Sequence, residues 1–291
     1  MEAFLIEPFL NADNGISYIN TKSISELLLL RPTELFQPHR TEFNVVYLFE
    51  EGGGKHTIDF NTIDIEQKCM LFVTQNQVTQ FHELSHFKGK VLIFTEDFFC
   101  RNNLFQTQFF GQTVLFNDPL NLPYFNVGER FDEISSLFGF ISDELNRPYY
   151  EAQPTILNNY LFNILLIGES LSEYRNSELA VSKNRLLLSK FKSMVNRNIH
   201  QRYTLEFYVE NLNVTLRTLQ IAFLEEENQT PKQWLINRMI LEIKRNLCYH
   251  EKSISEIAYK LGFKEVTNFT KFFKSKTGFT PSQFRSLSSK K

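Results

Sequence analysis

Apolar positions change their period twice along this chain. From about Phe43 to Phe99 they come in short β-type runs: Val45–Phe49, His56–Phe60, Met70–Val73 and Val91–Phe94. Gly52-Gly53-Gly54 separates the first two as a turn would. Several short strands at regular spacing predict a sandwich or barrel. After Asn126 the period becomes helical, with Phe131, Ile134, Phe138, Ile141 and Leu145 marking one helix. A longer helix is predicted from about Pro154 to Tyr174, with Leu157, Leu161, Ile164, Leu165 and Leu171 on one side. Phe162, Leu166 and Ile167 widen that stripe beyond what a single core contact needs. Two readings follow: a helix buried within its own chain, or one also used for dimerisation. The polar stretch Ser172 to Asn184 ends this helix and reads as a linker.

The last hundred residues contain the same pattern twice, offset by 49 to 50 positions: Thr204 to Trp234 and Ser253 to Phe284. Each copy begins with a hydroxyl residue and an apolar set at helical spacing. The sets are Leu205, Tyr208, Val209 and Leu212, then Ile254, Ile257, Ala258 and Leu261. Asn213 and Gly262 stand where the chain needs a left-handed residue to leave the helix. Second helices follow, anchored by Leu219 and Phe223 in one copy and by Phe269 and Phe273 in the other. Thr230-Pro231 and Thr280-Pro281 then read as an N-cap with proline at the first helical position. Helix, turn, helix, twice over, is the layout of a paired DNA reader.

Charge agrees with that division. Residues 190–291 carry 18 Lys+Arg against 9 Asp+Glu, whereas residues 1–189 carry 13 against 24. A basic module joined to an acidic one fits a phosphate-binding domain beside a domain with another task. Cys69, Cys100 and Cys248 are scattered and odd in number, so they offer neither a disulfide framework nor a metal pair. No basic-then-apolar leader and no membrane-length apolar run is found, so a reducing cytoplasm is expected.

The phrases SISEIAYKLGF, TKFFKSKTGFTPSQFR and TLQ…F…TPKQW make the C-terminal part similar to the AraC/XylS family of bacterial transcription regulators. The resemblance implies an α+β chain: an N-terminal cupin-like β-barrel with dimerisation helices, then an all-α domain with two helix-turn-helix units. The corresponding divisions are 1–175, a linker at 176–184, and 185–291. It further implies double-stranded promoter DNA as partner, a small-molecule effector, a homodimer, and RNA polymerase as a partner if the protein is an activator. No cofactor and no membrane partner is expected.

In such units the outward face of the second helix meets base edges. In copy two that face holds Val266, Thr267, Thr270 and Lys271, with Asn268 beside them and Lys274 and Lys276 continuing toward phosphates. Ser253 and Glu256 form a capping box for the preceding helix. In copy one the face holds Leu216, Arg217, Gln220 and Ile221, with Leu224 just beyond. The family usually has a basic residue at the place of Ile221 and often another at the place of Leu224. Three acids, Glu225, Glu226 and Glu227, follow directly. Copy two is therefore expected to supply more of the phosphate-driven affinity. The bridging helix, Pro231 to about Leu247, offers Arg238, Lys244 and Arg245 as candidates for backbone contact and Trp234 as a core anchor.

Two other classes compete. A non-specific architectural DNA protein would share the basic domain. A zinc hydrolase is suggested by His82-Glu83-Leu84-Ser85-His86, which matches H-E-x-x-H, a motif that works only on a helix. Here it lies beside strand-type sequence with Gly89 close behind, so the two imidazoles would not converge. A metal-dependent cupin site is no better supplied: His39 and Glu42 stand alone, and Gln77 and Gln80 occupy places suited to a later histidine. The preferred reading is a metal-free effector pocket with Tyr47, Phe49, Phe72 and Phe81 as candidate lining.

Overall fold

The computed structural model describes residues 5–7, 18–31, 33–82, 87–101, 104–174, 183–249 and 252–288. Two compact units emerge, one spanning Leu5–Glu178 and one containing Leu179–Lys291.

The first unit is built from β1 (Leu5–Glu7), β2 (Ile19–Ser23), α1 (Ile24–Leu30), β3 (His39–Thr41), β4 (Asn44–Glu51), β5 (Lys55–Ile58), β6 (Asn61–Asp64), β7 (Cys69–Val73), β8 (Val78–Phe81), β9 (Lys88–Phe94), α2 (Glu96–Cys100), α3 (Leu104–Phe110), β10 (Tyr124–Asn126), α4 (Phe131–Leu145) and α5 (Gln153–Tyr174). Its strands form two five-stranded sheets, ordered β1-β3-β8-β5-β6 and β10-β7-β4-β9-β2. Pairing is antiparallel except between β1 and β3. The expected single barrel is corrected to two separate sheets. The difference lies at the sheet edges: β1 and β6 end one sheet, β10 and β2 the other, and among the described residues no ladder joins them.

Alternation along β4 explains why its sequence reads as an unbroken apolar run. Val45, Tyr47 and Phe49 point to the other sheet, where they join Ile58, Phe81 and Leu71 in one core. Val46 and Leu48 point the opposite way and join Phe72, Ile134, Phe138, Leu161 and Leu165 beneath α4 and α5. A Cβ at Gly168 would lie 2.6 Å from the Phe72 ring, so α5 depends on glycine to approach β7 this closely. The helix predicted from Pro154 to Tyr174 matches α5, but Ile167, expected to widen its outward stripe, is buried. Leu166 is the exposed neighbour, and Phe162 packs on Phe99, Phe105 and Phe109.

The second unit is helical throughout: α6 (Lys183–Asn198), α7 (Leu205–Asn211), α8 (Leu216–Glu227), α9 (Pro231–Tyr249), α10 (Ile254–Lys260), α11 (Val266–Thr277) and α12 (Pro281–Ser288). Within it, Phe191 of α6 meets Tyr208, Phe223 and Trp234 edge-on, with ring centres 5.4, 5.4 and 5.8 Å away. One aromatic from α6 thus joins α7, α8 and α9. The stretch read as a linker to residue 184 overlaps α5 at its start and α6 at its end; residues 175–182 lie outside the described residues.

Candidate nucleic-acid interface

Each repeat folds as a helix, a tight turn and a second helix, and local chemistry fixes each boundary. Ser253 accepts from the Glu256 backbone N–H at 3.2 Å, and the Glu256 carboxylate accepts the Ser253 N–H at 2.7 Å, completing the expected capping box. The carboxyl of Glu256 is held below its ordinary range by these bonds from Ser253. Thr215 caps α8 by accepting from Thr218 N–H at 3.1 Å. Thr230 and Thr280 cap the helices that begin at Pro231 and Pro281, accepting from Gln233 and Gln283 N–H at 3.1 and 3.3 Å. Asn213 and Gly262 both adopt left-handed backbone, at φ 53° and 76°. At Gly262 a second reason for glycine exists: an added Cβ would lie 2.8 Å from the His200 carbonyl oxygen.

The turns aim α8 and α11 in the expected way. Leu219, Ala222 and Phe223 of α8, and Phe269 and Phe273 of α11, are fully buried. The opposite faces are solvent-facing. Arg217, Gln220 and Ile221 are exposed on α8, as are Thr267, Asn268, Lys271, Lys274 and Lys276 on α11. Val266 and Thr270 are half-buried along the edge of that face. Thr267 donates its hydroxyl to Glu265 at 3.1 Å, which ties it to the start of α11. The last turn of α11 carries Lys274 and Lys276, whereas the last turn of α8 has no basic residue.

The family match agrees with this geometry. Residues 208–286, which span both units, match the family described as "Helix-turn-helix domain". The chain is 20% identical over 298 residues to the HTH-type transcriptional activator RhaS of Yersinia pseudotuberculosis, covering 94% of this chain and 98% of that protein. These residues carry a helix-turn-helix domain, and over nearly its whole length the chain is similar to transcription regulators of this kind. It is a sequence-specific DNA-binding transcription regulator and not an enzyme. Among solved structures, ToxT from Vibrio cholerae with an unsaturated fatty acid bound is similar at 17% identity and a TM-score of 0.42, covering 94% of this chain and 97% of that one. The DNA-binding domain of AdpA in complex with a target DNA is similar at 23% identity and a TM-score of 0.32, covering 34% of this chain and 90% of that one.

Several side chains of this chain do not sit where their charge suggested. Arg238 and Arg245 are buried, and both donate to the Glu242 carboxylate, at 3.1 and 3.4 Å. Arg238 also donates to Asn196 of α6 at 2.7 Å. They hold α9 in place and are corrected from candidate phosphate contacts to internal structure, because a buried guanidinium is stable only beside a carboxylate. Lys244 lies over the Phe284 ring, 5.8 Å from its centre. Trp234 is buried, as expected of a core anchor. The acid run is partly engaged as well: Asn184 donates to Glu225 at 2.6 Å, and Lys192 pairs with Glu227.

In the other unit, a cavity of about 770 Å³ opens between α1, α4 and the sheets, with Leu27, Arg31, His39, Tyr47, Val91 and Phe138 in its walls. Of the four aromatic candidates, only Tyr47 lines it. Phe49 and Phe81 fill the core between the sheets, and Phe72 faces the helices. Gln153 is buried at the cavity; its Nε2 donates to the Glu144 carbonyl at 2.6 Å, while its Oε1 accepts nothing. His82 follows β8 directly, and its Nε2 meets the Thr57 hydroxyl at 2.9 Å. Glu83 and His86 lie outside the described residues. The role of transcription regulator replaces the hydrolase reading.

Proposed function

We infer that residues 185–291 grip promoter DNA with α8 and α11 in successive major grooves. Arg217, Gln220 and Ile221 serve as the reading face of the first unit. Val266, Thr267, Asn268, Thr270 and Lys271 serve in the second, with Lys274 and Lys276 on phosphates. The observation that carries this reading is the pair of solvent-facing surfaces on α8 and α11, each backed by fully buried anchors. The 19 residues of α9 amount to about 28 Å of stiff connector, commensurate with grooves about 34 Å apart. The extra lysines of α11 support the second unit as the larger source of electrostatic affinity.

The test is selection of bound sequences from random DNA, followed by competition. Selected sites should displace labelled site far better than random DNA of equal length. Equal displacement would leave a non-specific architectural protein as the better reading.

Residues 1–175 act, on this reading, as a cupin-like effector and dimerisation domain of a cytoplasmic regulator, with 176–184 as linker. The cavity beside Tyr47 is the effector site. The orphan Gln153 Oε1 supports a ligand bearing a hydrogen-bond donor, such as a hydroxyl or amide. A thermal-shift screen of small polar metabolites checks this, with Gln153→Leu and Tyr47→Ala as controls expected to abolish any shift. Dimerisation would use α5 and the neighbouring exposed residues Leu104, Phe105 and Leu166. RNA polymerase is a further partner if the protein activates.

A further inference from the structure

We propose that the first reading unit recognises thymine through its C5 methyl group, using Ile221 and Leu224. The proposal rests on α8 being a DNA-reading helix and adds the base it selects. Ile221 and Leu224 are 43% and 62% exposed, one helical turn apart, on the face opposite Leu219, Ala222 and Phe223, which are wholly buried. They are therefore not core residues of this unit. Arg217 and Gln220 flank them on the same exposed face, so the surface that meets base edges is half polar and half aliphatic.

An isoleucine and a leucine can neither donate to nor accept from a base edge or a phosphate. Pressed against polar groove atoms they would strip water from those atoms and return nothing. The major groove offers one apolar group, the methyl of thymine, and burial against it is favourable. Neighbouring charge narrows the choice further. No basic residue lies in the last turn of α8, and the exposed acid Glu226 follows directly, so this end of the helix is ill suited to a phosphate. At the position matching Ile221, α11 has Lys271, so the two units read different chemistry.

The experiment uses the full chain and a high-affinity site selected from random DNA. Each thymine in the site is replaced in turn by deoxyuridine, which pairs identically and lacks only the methyl. Affinity is measured by fluorescence anisotropy at fixed salt. One or two thymines, confined to one half of the site, should cost about fourfold each when demethylated, the value of one lost buried methyl. In Ile221→Ser and Leu224→Ser variants the methylated and demethylated sites should bind alike at those positions. Both residues are exposed, and an unchanged melting temperature will show that the fold is intact. Ile221→Arg should also erase the methyl dependence while steepening the salt dependence.

Uniform tolerance of uracil across the site overturns the proposal. So does a methyl penalty that persists unchanged in both serine variants, which would assign it to Val266 or another group. If no sequence is selected from the random pool at all, the DNA-reading role itself fails, an outcome distinct from either of these.

Discussion

The guanidinium carbon of Arg202 lies 3.8 Å from the centre of the Phe263 ring. Arg202 is itself in left-handed backbone, at φ 53°, two residues after the His200 carbonyl that crowds Gly262. The segment following α6 thus clasps the turn of the second helix-turn-helix unit from two sides.

Arg202→Ala removes the cation from the ring and should lower stability by about 1 kcal/mol, with Arg202→Lys intermediate. Gly262→Ala should cost more, about 1–3 kcal/mol, because an alanine must accept both a positive φ and a contact with the His200 oxygen. Urea denaturation of the intact protein measures both. A Gly262→Ala protein as stable as the parent would show that the turn relaxes without cost.

The two lysines of α11 should separate by their salt dependence. Lys271→Ala is expected to cost about 1–3 kcal/mol and to relax preference at one base position. Lys274→Ala should weaken binding to all sequences and reduce the slope against salt by about one unit. If Arg217→Ala proves the more damaging change on a selected site, the first unit is the dominant reader and the order of the two units is reversed.

Leu166→Asp should yield a monomer with an intact β unit, because Leu166 is exposed on α5 and makes no part of the core. Ile167→Asp should instead unfold that unit, since Ile167 is buried beneath the helix. Light scattering and circular dichroism distinguish the two results. An unchanged mass for Leu166→Asp would place the dimer contact elsewhere.

Glu242 accepts from two buried arginines, so Glu242→Ala takes a carboxylate away from both and should destabilise the helical unit by about 3–5 kcal/mol. Replacing Arg238, Glu242 and Arg245 together by apolar residues of similar size should recover much of that loss. Failure of the triple variant to exceed Glu242→Ala would mean that shape, not charge pairing, governs the site.

Acid should weaken the β unit through His56. Burial pushes its imidazole well below the ordinary pKa, with repulsion from His39 and His82 adding to the effect, and burial lowers His39 as well. His56 is stacked on Phe81 with ring centres 4.0 Å apart and bonds the Thr79 hydroxyl. Unfolded, both histidines take up protons as pH falls through about 6.5; folded, they resist. The unfolded chain then binds more protons, so stability is full above that pH and declines below it. Comparing unfolding midpoints at pH 7.5 and 5.5 tests this, and His56→Phe should flatten the difference.

The helix-turn-helix repeats were legible because everything that defines them is local. Ser253 with Glu256, Asn213, Gly262 and the two Thr-Pro pairs sit within a few residues of the backbone groups they satisfy. The outward faces followed from the anchors at Leu219, Phe223, Phe269 and Phe273 by helical geometry alone. Three features are not legible in the sequence. Sheet membership is one, since β10 finds β7 across more than fifty residues. The fate of Arg238 and Arg245 is another: Glu242 lies within one turn of both, but their burial goes with packing against α6, where Asn196 accepts from Arg238 across 42 residues. The third is α6, where Leu188, Phe191 and Val195 carry a helical spacing that the polar residues around them obscure.

α9 carries consequences for the operator as well as for the fold. Its length separates the two reading units, and its buried Arg238–Glu242–Arg245 cluster ties it to α6 through Asn196. Adding one base pair between the two contacted stretches would displace the second by about 3.4 Å along the duplex axis and turn it by about 34° around it. A helix fastened in this way has no joint with which to follow that rotation. The protein therefore measures helical phase along with letters, and a promoter could silence its response by changing length while keeping every recognised base.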